Sequence, residues 1–258
     1  MTDLMSPLTA LGEIGADMLW VGLLVFLRVG AAMALLPAFG EQSVPQRLRL
    51  VLALAFTAIV APAAGVMADP TAGLALPLGI EVIVGLALGI ALRMFILALQ
   101  IAAAIAAQAT SLSQLFGGVG PEPQPAIANL LVMAGLALAV ASGLHVRVAQ
   151  LFILSYQIFP AGLVPGSSDL AQWGVAQVAH AFALGFALAA PFTIASLLYN
   201  IALGVINRAM PALMVSFIGA PALALGGVAL MAIAAPLVLV VWQQSFQIFL
   251  SHPIGPPR

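Results

Sequence analysis

From Leu74 to Ala107 the chain is apolar except for Gln100 and two charges, Glu81 and Arg93. As one helix this stretch would reach about 50 Å at 1.5 Å per residue, well beyond the roughly 30 Å of a bilayer's hydrocarbon core. It must therefore tilt, kink or stand partly outside lipid. Gly85 and Gly89, Ala102 and Ala106, and Ala103 and Ala107 each put two small residues four positions apart. That spacing lets helix backbones approach closely, so packing along most of the run is expected.

Further apolar runs cover Met18 to Phe39, Leu48 to Val66, Ala126 to Phe159, Trp173 to Ile206 and Ala212 to about Leu250. The first two read as a helical hairpin turned at Pro37 to Arg49. Ser142 to Arg147 interrupts the fourth run, and Pro160 with Gly162 ends it. Pro191 lies in the fifth, and Pro221 and Pro236 lie in the last, so kinks are expected there. The count is six helical segments of unequal length, several too long for a plain six-span bundle. With 64% hydrophobic and 6% charged residues, against a globular norm of roughly 45–50% and 25%, the fold class is an all-α membrane protein. The N-terminal stretch holds Asp3, Glu13 and Asp17 and no base. It lacks the positive region of a cleavable signal, and the first run is expected to stay in the mature chain.

Between the third and fourth runs lies QATSLSQLFGGVGPEPQP, Gln108 to Pro125. Gly117, Gly118 and Gly120 loosen the backbone, and Pro121, Pro123 and Pro125 fix φ and remove donors, so this segment is a loop. Non-helical backbone at membrane depth is tolerated only where protein buries it or where it lines a cavity. Two readings follow, a water-exposed turn between spans or the lining of a pore or gate.

Little catalytic chemistry fits. The absence of cysteine excludes disulfides and thiolates, and the absence of lysine excludes Schiff-base and Ser-Lys mechanisms. His145, His180 and His252 lack the companion at three or four positions that a helical metal site needs. There is no HExxH, no GxSxG and no nucleotide-binding glycine loop with lysine. With no lysine and a net charge of −1, no basic face is expected for nucleic acid or for acidic lipids. The chain reads as a non-enzyme without cofactor or metal. Glu81 and Arg93, twelve positions apart, cannot pair along one helix. Glu81 is a candidate for a proton or substrate role, or for a charge facing a partner subunit. Met94 and Phe95, with Met210, Met214 and Phe217, suit either core packing or a deformable seal around a passing chain.

Four stretches carry a family resemblance: Leu27 to Pro62, Ala106 to Phe116, Ser142 to Gly162 and Asn200 to Met231. In these the chain resembles the FliR/SctT family of flagellar and virulence type III export-apparatus membrane proteins, most of all its flagellar branch. The most specific elements are Asn207, Arg208 and Pro211 followed by Pro221, then the set Arg28, Pro37, Pro45, Arg47 and Pro62; His145 and Pro160 belong to the matching third stretch. The resemblance implies one copy of this chain joined with several copies of FliP and FliQ homologues in a helical export gate. FlhB and FlhA homologues would lie nearby, in a multi-pass position in the bacterial inner membrane at the flagellar basal body. It implies a FliP-like part over residues 1–160 and a FliQ-like long hairpin over residues 161–258. Residues 108–125 would form an inner plug, with Gln108, Ser111, Ser113, Phe116, Gly117, Gly118, Gly120 and Pro121 at the gate. The chain departs from the family pattern at Ala109-Thr110, Val119-Gly120-Pro121 and Ser142-Gly143-Leu144-His145.

The mechanism this implies is passive. The subunit completes a protein-conducting channel, and its loop obstructs the lumen until an unfolded export substrate displaces it. The rival reading is a secondary transporter built on proline-broken helices. That reading needs paired charges within the spans, whereas the charges in this sequence look isolated.

Overall fold

A computed structural model describes residues 5–41, 44–65, 75–110, 126–210 and 215–253. The ordered elements among them are seven helices: α1 (Met5–Met33), α2 (Gln46–Ala63), α3 (Ala75–Thr110), α4 (Ala126–Ala141), α5 (Leu144–Ile158), α6 (Ser167–Ala209) and α7 (Val215–Ser251). The described residues contain no strand. Five of these helices are long and apolar enough to cross a membrane, or six if α4 and α5 form one broken span.

The helix limits follow from local chemistry. Pro45, with φ −58° and ψ 141°, directs the chain into α2 without needing an N–H bond of its own. At the other end the Ala64 N–H closes on the Val60 carbonyl at 2.8 Å, and Gly65 takes a φ of +59°, the usual left-handed helix stop. The interruption expected at Ser142 to Arg147 is a true break. Gly143 has φ 85° and ψ 34°, and α4 and α5 diverge there by 71°. One expected run is thus two helices, which raises the segment count from six to seven. Pro191 sits inside α6, and Pro221 and Pro236 inside α7, and none of them ends its helix. In α6, Thr193, Ser196 and Asn200 bond back to the carbonyls of Ala189, Thr193 and Ser196. These polar groups are therefore satisfied without water.

The helices sort into two compact units, one of residues 1–93, 142–177 and 250–258, the other of residues 94–141 and 178–249. In the first, α1 and α2 form the expected hairpin, and α2 also meets α5. Phe56 stands edge-on to Phe39 and to Phe152, both at 6.3 Å between centroids. The glycine pair of α3 faces α1. A Cβ on Gly85 would collide with the Arg28 carbonyl, and one on Gly89 would come within 2.9 Å of the Ala32 carbonyl. The anticipated close approach is thus used by α1.

The second unit is built on an aromatic cluster. Trp242 donates its indole N–H to the Phe95 carbonyl at 2.8 Å and stacks on Phe246. Phe95 also meets Phe246, Phe249 and the half-buried His180. Phe95 is therefore core. Ala102, Ala103, Ala106 and Ala107 are buried as expected, and Gly185 lies against the Ala98 carbonyl, where a Cβ would approach to 3.0 Å.

Candidate functional site: a buried charge cluster

Glu81 is not isolated. It lies on α3, and Arg28 of α1 meets it in the interior of the first unit, both side chains being 0% exposed. Arg28 Nε donates to Glu81 Oε2 at 2.7 Å and Nη2 donates to Oε1 at 3.1 Å. This two-pronged match of guanidinium to carboxylate is the geometry in which an ion pair is strongest. The expectation of isolated charges is corrected accordingly. Spacing along α3 excluded only a partner on the same helix, and the partner comes from a different one.

Two further elements complete the cluster. From α5, the Ser155 hydroxyl accepts from Arg28 Nη1 at 3.1 Å and donates to the Phe152 carbonyl at 2.7 Å. The Tyr156 hydroxyl donates to Glu81 Oε2 at 3.2 Å, and the guanidinium carbon sits 3.6 Å from the centre of the Tyr156 ring. From the turn after α5, the Phe159 carbonyl accepts from Arg28 Nη2 at 2.9 Å, and the Gly162 N–H donates to Glu81 Oε1 at 3.3 Å.

Arg28 thereby uses four of its five N–H groups, and each Glu81 oxygen accepts two bonds. A carboxylate offers about four lone-pair sites, so Glu81 keeps none for a ligand. The cluster is neutral and closed, and its carboxylate is saturated. It clamps α1, α3, α5 and the 159–162 turn, and it resembles neither a substrate site nor a proton path. A buried charge is tolerated in this way when it is paired and fully bonded.

A second ion pair, between Arg93 on α3 and Glu41 in the turn before α2, is partly exposed. Arg49 ties down the same turn by donating to the carbonyls of Glu41 and Val44 at 2.7 and 3.1 Å. Both charges of α3 are thus met by residues off that helix. Ser155, Tyr156 and Glu41 were not singled out by sequence reasoning. The available signal was that two charges lay alone in separate apolar runs, which is tenable inside a membrane only if they meet.

The other residues named from sequence do not converge on this cluster. Pro37 lies in the turn after α1, Pro45 caps α2, Arg47 is exposed in its first turn and Pro62 in its last. His145 is exposed on the first turn of α5, and Pro160 is exposed in the turn that follows that helix. Asn207 and Arg208 are exposed at the end of α6, and Pro221 falls within α7. Gln108 is exposed in the last turn of α3. Ser111, Ser113, Phe116, Gly117, Gly118, Gly120, Pro121 and Pro211 lie outside the described residues. No group of three or more histidines or acids able to hold a metal occurs among the described residues.

This architecture defines a multi-pass helical membrane protein in which the two fully buried charges, Arg28 and Glu81, neutralise one another. The profile described as "Bacterial export proteins, family 1" matches residues 19–249. The chain belongs to that family. It is 34% identical over 239 residues to the "Flagellar biosynthetic protein FliR" of Caulobacter vibrioides, covering 90% of this chain and 95% of that protein. It is 30% identical over 217 residues to the protein of the same name from Escherichia coli K12, covering 82% and 83%. The Pectobacterium carotovorum protein of that name is 25% identical over 222 residues, covering 83% of each. These relatives are named for flagellar biosynthesis, not for a catalysed reaction.

Proposed function

We propose that the chain is a FliR-type subunit of the flagellar type III protein export gate, located in the inner membrane at the basal body. The carrying observation is similarity over nearly the whole length to flagellar biosynthetic proteins of two organisms. Two physical features support an assembled state. At 1.5 Å per residue the 36, 43 and 37 residues of α3, α6 and α7 extend to about 54, 65 and 56 Å, against a hydrocarbon core of roughly 30 Å. In the most apolar stretches of α6 and α7, only 33% and 28% of residues are buried. Phe182, Phe186, Ile233 and Leu237 are among the side chains left outside. Such faces require lipid or neighbouring helices.

In this reading residues 1–160 act as a FliP-like part and residues 161–258 as a FliQ-like hairpin, joined with FliP and FliQ homologues around a protein-conducting channel. Residues 108–125 serve as the inner plug that an unfolded substrate displaces. The role is passive, because the charge pair within the spans is closed by its own bonds and offers nothing to a transported proton. The transporter reading loses its ground in a different way than expected: the charges are paired, but every polar atom of Glu81 is already spent within the chain.

Native mass spectrometry of the protein, expressed with its neighbouring membrane proteins and extracted gently, tests the proposal. A complex holding one copy of this chain with several copies of two smaller partners is the expected result. A partner-free monomer or homodimer overturns it.

A further inference from the structure

A groove of about 450 Å³ opens between α1, α2 and α3, within the usual range for small-molecule sites of roughly 300–1,000 Å³. Its walls are Phe26, Leu27, Gly30 and Met33 of α1, Leu50 and Ala53 of α2, and Val82 of α3, and Gln46 and Arg49 are its polar lining residues. Nothing but the Phe26 ring, at 4.0 Å, stands near the position a Cβ on Gly30 would take, so the floor at Gly30 is open.

The polar end is positively charged. Arg49 donates Nε and Nη2 to backbone carbonyls and leaves Nη1 without a hydrogen bond among the described residues. Arg47, two residues earlier on α2 and so on a different face of the helix, lies outside the groove, is exposed and makes no hydrogen bond among the described residues. Arg93 joins the same turn through Glu41. Arg47, Arg49 and Arg93 against Glu41 make three positive charges and one negative, a local +2 on a chain whose net charge is −1. An apolar trough ending in unneutralised arginines matches a molecule with a hydrocarbon chain and an anionic head.

We infer that this groove is a binding site for an anionic phospholipid, its acyl chain lying along α1 and α2 and its phosphate held by Arg49, with the exposed Arg47 nearby adding to the positive field. A neighbouring protein helix would fill the trough but would leave the arginines uncompensated unless it carried an acid there. A phospholipid meets both requirements at once, and a basic pocket between spanning helices is a known form of headgroup recognition. This inference stands apart from the export reading and does not depend on it.

The test uses the full chain purified in detergent and stripped of lipid, with unfolding temperature and lipid adducts followed on adding dioleoyl phosphatidylglycerol, dioleoyl phosphatidylcholine or glycerol phosphate. The glycerol lipid should raise the unfolding temperature and give retained adducts. The choline lipid and the bare head should do neither. Arg47→Gln, which disturbs no bond among the described residues, should weaken phosphatidylglycerol binding about fivefold, the effect of one basic group near an anionic lipid. Gly30→Leu, which fills the trough, should abolish the adduct while the protein still folds. Equal response to both lipids, binding of glycerol phosphate alone, or unchanged affinity in both variants would each overturn the inference. So would a Gly30→Leu protein that keeps its lipid and loses a protein partner.

Discussion

Glu81 and Arg28 are 53 positions apart in sequence and 2.7 Å apart in space, on two different helices and with no solvent exposure. The pair gathers Ser155, Tyr156 and the 159–162 turn around it, so its loss should be felt as a loss of folded structure. Removing one partner leaves a buried charge unmatched, which typically costs about 3–5 kcal/mol. Glu81→Gln and Arg28→Met are each expected to lower yield and unfolding temperature sharply. The double replacement Arg28→Met with Glu81→Leu should be less damaging than the sum of the singles, since no unmatched charge remains. Additive losses in the four-way comparison would rule out the clamp. The loss expected of Glu81→Gln requires no proton chemistry at Glu81.

The approach of α3 to α1 gives a contrast between two glycines on one helix. At Gly85 a Cβ would strike the Arg28 carbonyl, whereas at Gly79 it would meet nothing within 4 Å. Gly85→Ala should destabilise by about 1–3 kcal/mol through forced separation of the helices, and should loosen the Arg28–Glu81 pair. Gly79→Ala should gain about 0.5–1 kcal/mol from helix propensity alone. Unfolding temperatures of the two variants side by side are the measurement, and the opposite order would refute the packing assignment.

These two sites mark what was readable in the sequence and what was not. The Gly85/Gly89 spacing and the buried alanines of α3 were readable because helix periodicity places them on a face whatever the partner is. The helices themselves followed from apolar runs whose ends are set by Pro45, Gly65 and Gly143. The charge cluster was not readable because α1, α3 and the stretch from α5 into the 159–162 turn are far apart in sequence, and one-dimensional spacing constrains only pairs on the same helix. Pro191, Pro221 and Pro236 were read as lying within long helical runs, and α6 and α7 do run through them. A proline removes one hydrogen bond and strains one turn without having to end the helix. Gln108 to Pro125, the segment on which the gating role depends, falls almost wholly outside the described residues, and its role rests on family resemblance.

The break between α4 and α5 depends on one backbone conformation. Gly143 holds φ 85° with no atom near the position of a Cβ, so a substitution there pays only the left-handed backbone penalty of about 1–2 kcal/mol. Gly143→Ala should therefore lower stability by that amount, and Gly143→Asn by less, because asparagine tolerates this region. Equal losses would mean that side-chain space, not φ, governs the position. The consequence reaches the cluster, since α5 delivers Ser155 and Tyr156 to Arg28 and Glu81.

The most direct test of gating is removal of Gly117 to Gln124. If the loop obstructs a channel, the deletion should leave assembly with partner proteins intact while making membranes that contain the complex leak small ions. The shortened segment still has to connect α3 to α4, and their described ends are Thr110 and Ala126. With eight residues removed, about seven remain between them, enough to span roughly 25 Å fully extended. Assembly without leakage would argue that the loop is an ordinary turn. Failed assembly is separated from gating by replacing the eight residues with a Gly/Ser linker of equal length, which restores the connection without restoring the native loop's side chains. Leakage in the linker variant would then assign the seal to those side chains, and a tight linker variant would assign it to loop length alone.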